Sequence, residues 1–218
     1  MFKWFKPSDA GEGPARMHRE LREMLAHGRH TFDAAANAFL GGADPEVVRK
    51  DIWDTDAKIN ELERSIRREV LVHGSVHGSS QLPVCLVLMS IVKDAERIGD
   101  YSKNLFEVAV VSPKRRGDEY FDDLVAFRTR ISTAIEEASS IYASQDEDAA
   151  RAFLTESGTM AKEFDRHVAR LLGDEPGTDQ PAPTVLCYRY YKRIVSHLSN
   201  IITSLVMPVD QLDYLDEK

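Results

Sequence analysis

Glu96, Asp100 and Asn104 recur at four-residue intervals within KDAERIGDYSKNLFE, residues 93–107. On an α-helix that spacing keeps oxygen side chains on one side, drifting by about 40° per step. Ile91, Ile98 and Leu105 recur every seven residues and fall roughly 100–180° round the same helix. A second row precedes the first. Asp56, Asn60 and Glu63 lie within about 60° of one another on a helix, beside an apolar arc of Ile52, Ile59, Leu62, Ile66 and Val70. If the two helices are neighbours, the six oxygen side chains line one groove on the outer side of the packing faces. Carboxylates gathered in this way repel unless cations, protons or water relieve them. Two arrangements do so. A metal ion is one, and all-oxygen ligation suits magnesium, calcium, manganese or iron. An ordinary solvated acidic face is the other, with Lys58, Arg64 and Lys93 as ion-pair partners.

The elements that must position these rows read as helices throughout, with no alternating strand pattern. Gly and Pro punctuation divides the chain into six helical runs, about 15–40, 45–73, 84–111, 119–144, 147–172 and 184–206. Asp44-Pro45 supplies an N-cap and first-turn proline for the second run. HGSVHGSSQLP, residues 73–83, reads as a glycine-serine loop, which makes His73 and His77 loop residues. The layout repeats: three helices, a linker, three helices. VKDAERIGDYSKNLFE matches RYYKRIVSHLSNIITS at an offset of 96, with Arg97-Ile98 over Arg193-Ile194 and Asn104 over Asn200. DTDAKINELERSI matches LTESGTMAKEFDRHV more loosely, at an offset of about 101. The expected fold is all-α, two tandem three-helix bundles from a duplicated unit. A tail over 1–14, a first repeat over 15–111, a linker over 112–118, a second repeat over 119–206 and a tail over 207–218 complete the expected organisation.

The 218 residues carry a net charge of −8 and 43% hydrophobic residues. That composition supports a substantial core and argues against broad nucleic-acid binding, which needs clustered cations. No apolar run reaches the roughly 18–20 residues of a membrane span. The start of the chain lacks the apolar core of a signal peptide. A cytoplasmic location is therefore expected, with Cys85 and Cys187 reduced. Phe2, Trp4 and Phe5 alternate with Lys3 and Lys6. They suit either a tail folded on the domain or a weak contact with a membrane surface.

ERIGDYSKN resembles the ERIGDxxxN signature of the PhoU proteins, regulators of phosphate uptake, and DAKINELE resembles that family's second signature. The resemblance spans about residues 15–206. It implies surface metal clusters, one per bundle. Ligand candidates carried over by position are Asp56, Asn60, Glu63, Glu96 and Asp100, with Asn104 as an outer partner. It also implies a cytoplasmic regulator that restrains a membrane phosphate transporter and quiets phosphate-starvation signalling through a sensor histidine kinase. Such a protein is not an enzyme, and a homodimer and peripheral membrane association are in keeping with it. The implied cofactor is a divalent or trivalent metal, namely iron, manganese, magnesium or zinc.

The second repeat departs from the signatures. Lys192 and Ser196 stand where Glu and Asp are expected, and Ser157 and Ala161 replace acids on the companion helix. At most one metal cluster per chain is therefore expected, in the first bundle. Arg189, Lys192, Arg193 and Ser196, with Asn200, form a basic and hydroxyl stripe. It reads either as a site for an anion or acidic partner or as a solvated face left after metal loss. The alternative function is a carboxylate-bridged metal oxidase or hydrolase on a helical bundle. Against it stands the missing Glu-xx-His pattern of di-iron bundles.

Overall fold

The structure, a computed structural model, describes residues 12–112, 120–173 and 182–212. The aromatic N-terminal stretch and most of the expected linker lie outside the described residues, as does the end of the C-terminal tail. Among the described residues there are six α-helices and no strand. They are α1 (Glu12–Phe39), α2 (Pro45–His77), α3 (Leu82–Val111), α4 (Phe121–Ser144), α5 (Glu147–Gly173) and α6 (Ala182–Thr203). Short 3-10 turns follow at Gly78–Ser80 and Val209–Gln211.

Local chemistry sets several ends. Asp44 is extended and accepts from the Glu46 amide at 2.9 Å, with Pro45 next in line. This satisfies an orphan donor of the first turn. Asp146 does the same for α5, accepting from the amides of Asp148 and Ala149. α2 runs one turn further than the glycines suggest. Gly74 lies inside it, and a Cβ there would sit 3.5 Å from Cys85 Sγ on α3. Packing against α3 outweighs the roughly 1 kcal/mol helix penalty of a glycine. The stop comes at Gly78, whose φ of 67° suits glycine and whose N–H returns to the Gly74 carbonyl. His73 and His77 are therefore helical, one turn apart, with ring centroids 4.4 Å from each other. The loop expectation fails here because the sequence does not reveal which glycine ends the helix.

α1, α2 and α3 form the front bundle; α4, α5 and α6 form the rear one. The two are fused along two seams, α1 against α4 and α3 against α6. Both seams are antiparallel. Arg29 reaches Glu136 while Asp33 meets Arg128 on the first. On the second, Asp94 meets Asn200 while Tyr101 stacks on His197. One hydrophobic core runs through both bundles, from Met17, Leu21 and Phe32 through Ile59, Ile91 and Ile98 to Phe164, Tyr188 and Ile194.

Candidate functional site

The ERIGD stretch works as a packing device as much as an acid row. Ile98 is fully buried against α1, where a Cβ on Gly28 would lie 3.1 Å from Ile98 Cγ2. Gly99 faces α2, and a Cβ there would lie 2.9 Å from Ile59 Cδ1 and 3.9 Å from Asp56 Oδ1. The lone hydrogen of glycine thus lets α2 close on α3 at the level of Asp56. Because the helices are antiparallel, Asp56 comes opposite Asp100, and Glu63 comes opposite Glu96. The expected groove exists, and the two signatures line it.

It is less exposed than the outer-face reading implied. Glu63 is 7% exposed and Glu96 9%. Cations of the chain itself fill the groove. Lys103 Nζ contacts Asp56 at 2.9 Å and Asp100 at 3.5 Å. Lys93 Nζ contacts Glu96 at 2.7 Å and Glu63 at 3.9 Å. Arg67 reaches Glu63 at 2.9 Å, and Arg97 reaches Asp100 at 3.5 Å. Asn60 donates to Asp56 at 3.2 Å. Asn104 stands partly exposed one turn beyond Asp100. Burial pushes the Glu96 carboxyl up; the Lys93 hydrogen bond pulls it down, and the Asp100 charge adds to the push. Burial opposes the Lys103 ammonium, yet hydrogen bonding and charge from Asp56, with the Asp100 charge, hold its pKa above the ordinary value.

Each acid pair therefore shares one cation, and the lysine ammonium stands in for a bridging ion. The donor chemistry fits a hard metal, with Asp56, Asn60 and Asp100 at one level and Glu63 and Glu96 at the next. Among the described residues no three His, Cys, Asp or Glu converge on one point. Of the ion-pair partners the sequence suggested, Lys93 serves as expected. Lys103 and Arg67 were missed, although Lys103 lies inside the signature, three residues past Asp100.

The rear copy shows what replaces the groove. At the same offsets Asp56 corresponds to Ser157 and Lys103 to Ser199. Ser199 Oγ donates to Ser157 Oγ at 2.9 Å, the separation of the front ion pair. Lys192, at the Glu96 position, reaches Asp165 of α5 at 2.6 Å, and Arg189 reaches the same carboxylate at 3.5 Å. Arg193 is exposed and Ser196 partly so. An anion at this stripe would compete with Asp165. Asn200 leaves the stripe altogether: it donates to Asp94 at 2.9 Å across the seam.

That contact belongs to a polar junction the sequence reading missed. Asp94, 7% exposed, also accepts from His197 Nδ1 at 2.7 Å. Tyr101 stacks on His197 at 5.5 Å. These two residues are themselves related by the 96-residue offset. Equivalent positions of the two repeats thus meet at the seam. The signal was present: Asp94 falls on the apolar stripe of Ile91, Ile98 and Leu105 rather than with Glu96.

Fold and groove together define a duplicated three-helix-bundle protein with an acid-lined groove in its front repeat. The PhoU domain is matched over residues 21–109, which reach from α1 through α3. The match takes in the front repeat alone and stops before α4. The chain is 30% identical over 95 residues to the phosphate-specific transport system accessory protein PhoU homolog 1 of Thermotoga maritima. That match covers 43% of this chain and 39% of the relative, so the chain spans well under half of the relative's length. The crystal structure of PhoU from Pseudomonas aeruginosa shares the fold, with a TM-score of 0.76 at 21% identity over 89% of this chain and 95% of that one. The phosphate transport system regulatory protein PhoU of Streptococcus pneumoniae gives 0.71 at 16% identity over the same shares.

Proposed function

We propose that this chain is an accessory regulator of phosphate uptake and phosphate-starvation signalling. It acts by binding a membrane phosphate transporter, its sensor kinase, or both. The observation that carries this reading is the PhoU-domain match, which includes both signature-bearing helices of the groove. The Thermotoga relative, named as an accessory protein of a phosphate-specific transport system, points the same way. No helix among the described residues is long and apolar enough to cross a membrane, and peripheral contact with the transporter is part of the proposal. A cytoplasmic site of action and a homodimer belong to the same proposal. So does a metal held by Asp56, Asn60, Glu63, Glu96 and Asp100, with Asn104 at the edge of the groove. When bound, such an ion neutralises facing carboxylates and ties α2 to α3. The oxidase or hydrolase alternative gains no support from the matched proteins, which are named as accessory or regulatory proteins of phosphate transport.

The test is deletion of the gene followed by phosphate-uptake and starvation-reporter measurements at high and low phosphate. Unrestrained uptake or constitutive signalling, reversed by the intact chain, is expected. Co-purification from membranes with a transporter or kinase subunit identifies the partner. Unchanged uptake and signalling, with no such subunit captured, sinks the reading.

A further inference from the structure

We propose that Lys103 and Lys93 are built-in counter-cations that keep the front groove closed to metal, so that a hard divalent ion enters only by displacing them. This rests on the groove being the metal-facing element of the reading above. The geometry is its first support. One ammonium lies within 3.5 Å of both Asp56 and Asp100. A second lies between Glu63 and Glu96, within 3.9 Å of each. An incoming dication at either level meets a like charge in the place it must take, and the acids give up a partner they already hold.

The second support is internal to the chain. In the rear repeat the acid of the upper pair is lost, and so is its lysine: Ser157 and Ser199 replace Asp56 and Lys103 and bond to each other. At the other level Lys93 corresponds to Arg189 and stays basic although Glu96 has become Lys192, so the coupled replacement supports Lys103 alone. Pairwise replacement at one separation marks Asp56 and Lys103 as a unit that bridges the second and third helices of its repeat. The two lysines differ in hold. Lys103 is 24% exposed and has two short contacts, whereas Lys93 is 42% exposed. Lys103 is therefore the principal barrier, and Lys93 yields more readily to solvent.

The experiment titrates Mn²⁺ into the purified full chain. It is followed by the electron paramagnetic resonance signal of free Mn²⁺ and by the melting temperature with and without metal. Lys103→Met keeps the stem and removes the charge. Lys103→Gln keeps a donor for Asp56 without charge, so a folded neutral variant is available if the methionine misfolds. Either is expected to bind Mn²⁺ at least tenfold more tightly than the parent chain. Its melting temperature rises with Mn²⁺ while the parent's barely moves. Adding Asp100→Asn to the neutral variant is expected to abolish the gain. Equal affinity in parent and neutral variants, lost with Asp100→Asn, overturns the role of the lysines and leaves the groove as a metal site. Absence of Mn²⁺ binding in every form overturns both the lysine role and the metal site. The uptake-regulator reading then stands or falls on its own deletion test.

Discussion

Replacing Asp94 with alanine strips two donors of their acceptor at once. His197 Nδ1 and the Asn200 amide both end on Asp94 Oδ1, in a seam where Asp94 is 7% exposed. A fully buried donor left without a partner costs typically about 1–3 kcal/mol; His197 and Asn200 are partly buried, so each falls toward the lower part of that range. Asp94→Ala is therefore expected to cost on the order of 2–4 kcal/mol in urea unfolding. Ser157→Ala removes two neutral bonds in the rear repeat, the one accepted from Ser199 and the one donated to the Leu154 carbonyl within its own helix, and is expected to cost about 1 kcal/mol. A loss for Asp94→Ala no larger than for Ser157→Ala would show that the seam is not held by this junction. The contrast follows from the chemistry of each partner: a hydroxyl left alone at Ser199 can turn back to the Val195 carbonyl, which it already contacts at 3.0 Å. Among the described residues Asp94 is the acceptor that the His197 and Asn200 side chains share.

At the scale of the element, the approach of α2 to α3 depends on Gly99. An alanine there places Cβ 2.9 Å from Ile59 Cδ1, and Ile59 is fully buried, so its end has little room to swing. Overpacking of this kind costs about 1–3 kcal/mol, against a helix-propensity gain of about 1 kcal/mol for alanine over glycine. Overpacking wins, and Gly99→Ala is expected to destabilise by roughly 1 kcal/mol. Ile59→Val removes the offending carbon. In that background the same substitution is expected to become neutral or stabilising, because only the propensity gain remains. Denaturant midpoints of the four proteins in this cycle decide the matter; a fixed cost in both backgrounds would place the strain elsewhere.

The groove itself was legible in the sequence for a simple reason. Acids at four-residue spacing beside an apolar stripe fix a helical face, and two such faces on consecutive helices meet whenever the helices do. Phase alone does not say what stands opposite. Lys103 and Arg67 are long side chains whose ammonium and guanidinium groups reach across to acids on the facing helix or back along their own, and spacing carries no such information. Asp94 shows the converse. Its phase set it among apolar residues, but only the seam with α6 explains why a carboxylate is tolerated there. The end of α2 was misplaced because two glycines four residues apart compete as stop signals, and tertiary packing chose the second.

Over the whole molecule, two seams join the bundles, and the one between α1 and α4 is sensitive to acid. His18 Nδ1 and the Tyr142 hydroxyl are hydrogen-bonded at 2.5 Å across it. Arg19 and Arg22 line the adjoining cavity of about 200 Å³. Burial pushes His18 down to about 4 from an ordinary 6.5, and burial raises the Tyr142 hydroxyl. The folded chain thus holds His18 neutral where the unfolded chain protonates it. Between pH 6.5 and about 4 the unfolded state binds the extra proton, so stability falls as acid is added. Above that window the contribution is fully present; its loss by pH 4 is on the order of 2–3 kcal/mol. His18→Gln keeps a polar contact to Tyr142 and removes the titration. Unfolding free energies of the two proteins, measured from pH 7 down to 4.5, are expected to converge as the pH drops, because every other group titrates alike in both and cancels in the difference. A difference that stays constant with pH would mean that His18 keeps its ordinary proton affinity in the folded seam. The two bundles would then owe their acid response to the carboxylates of the front groove instead.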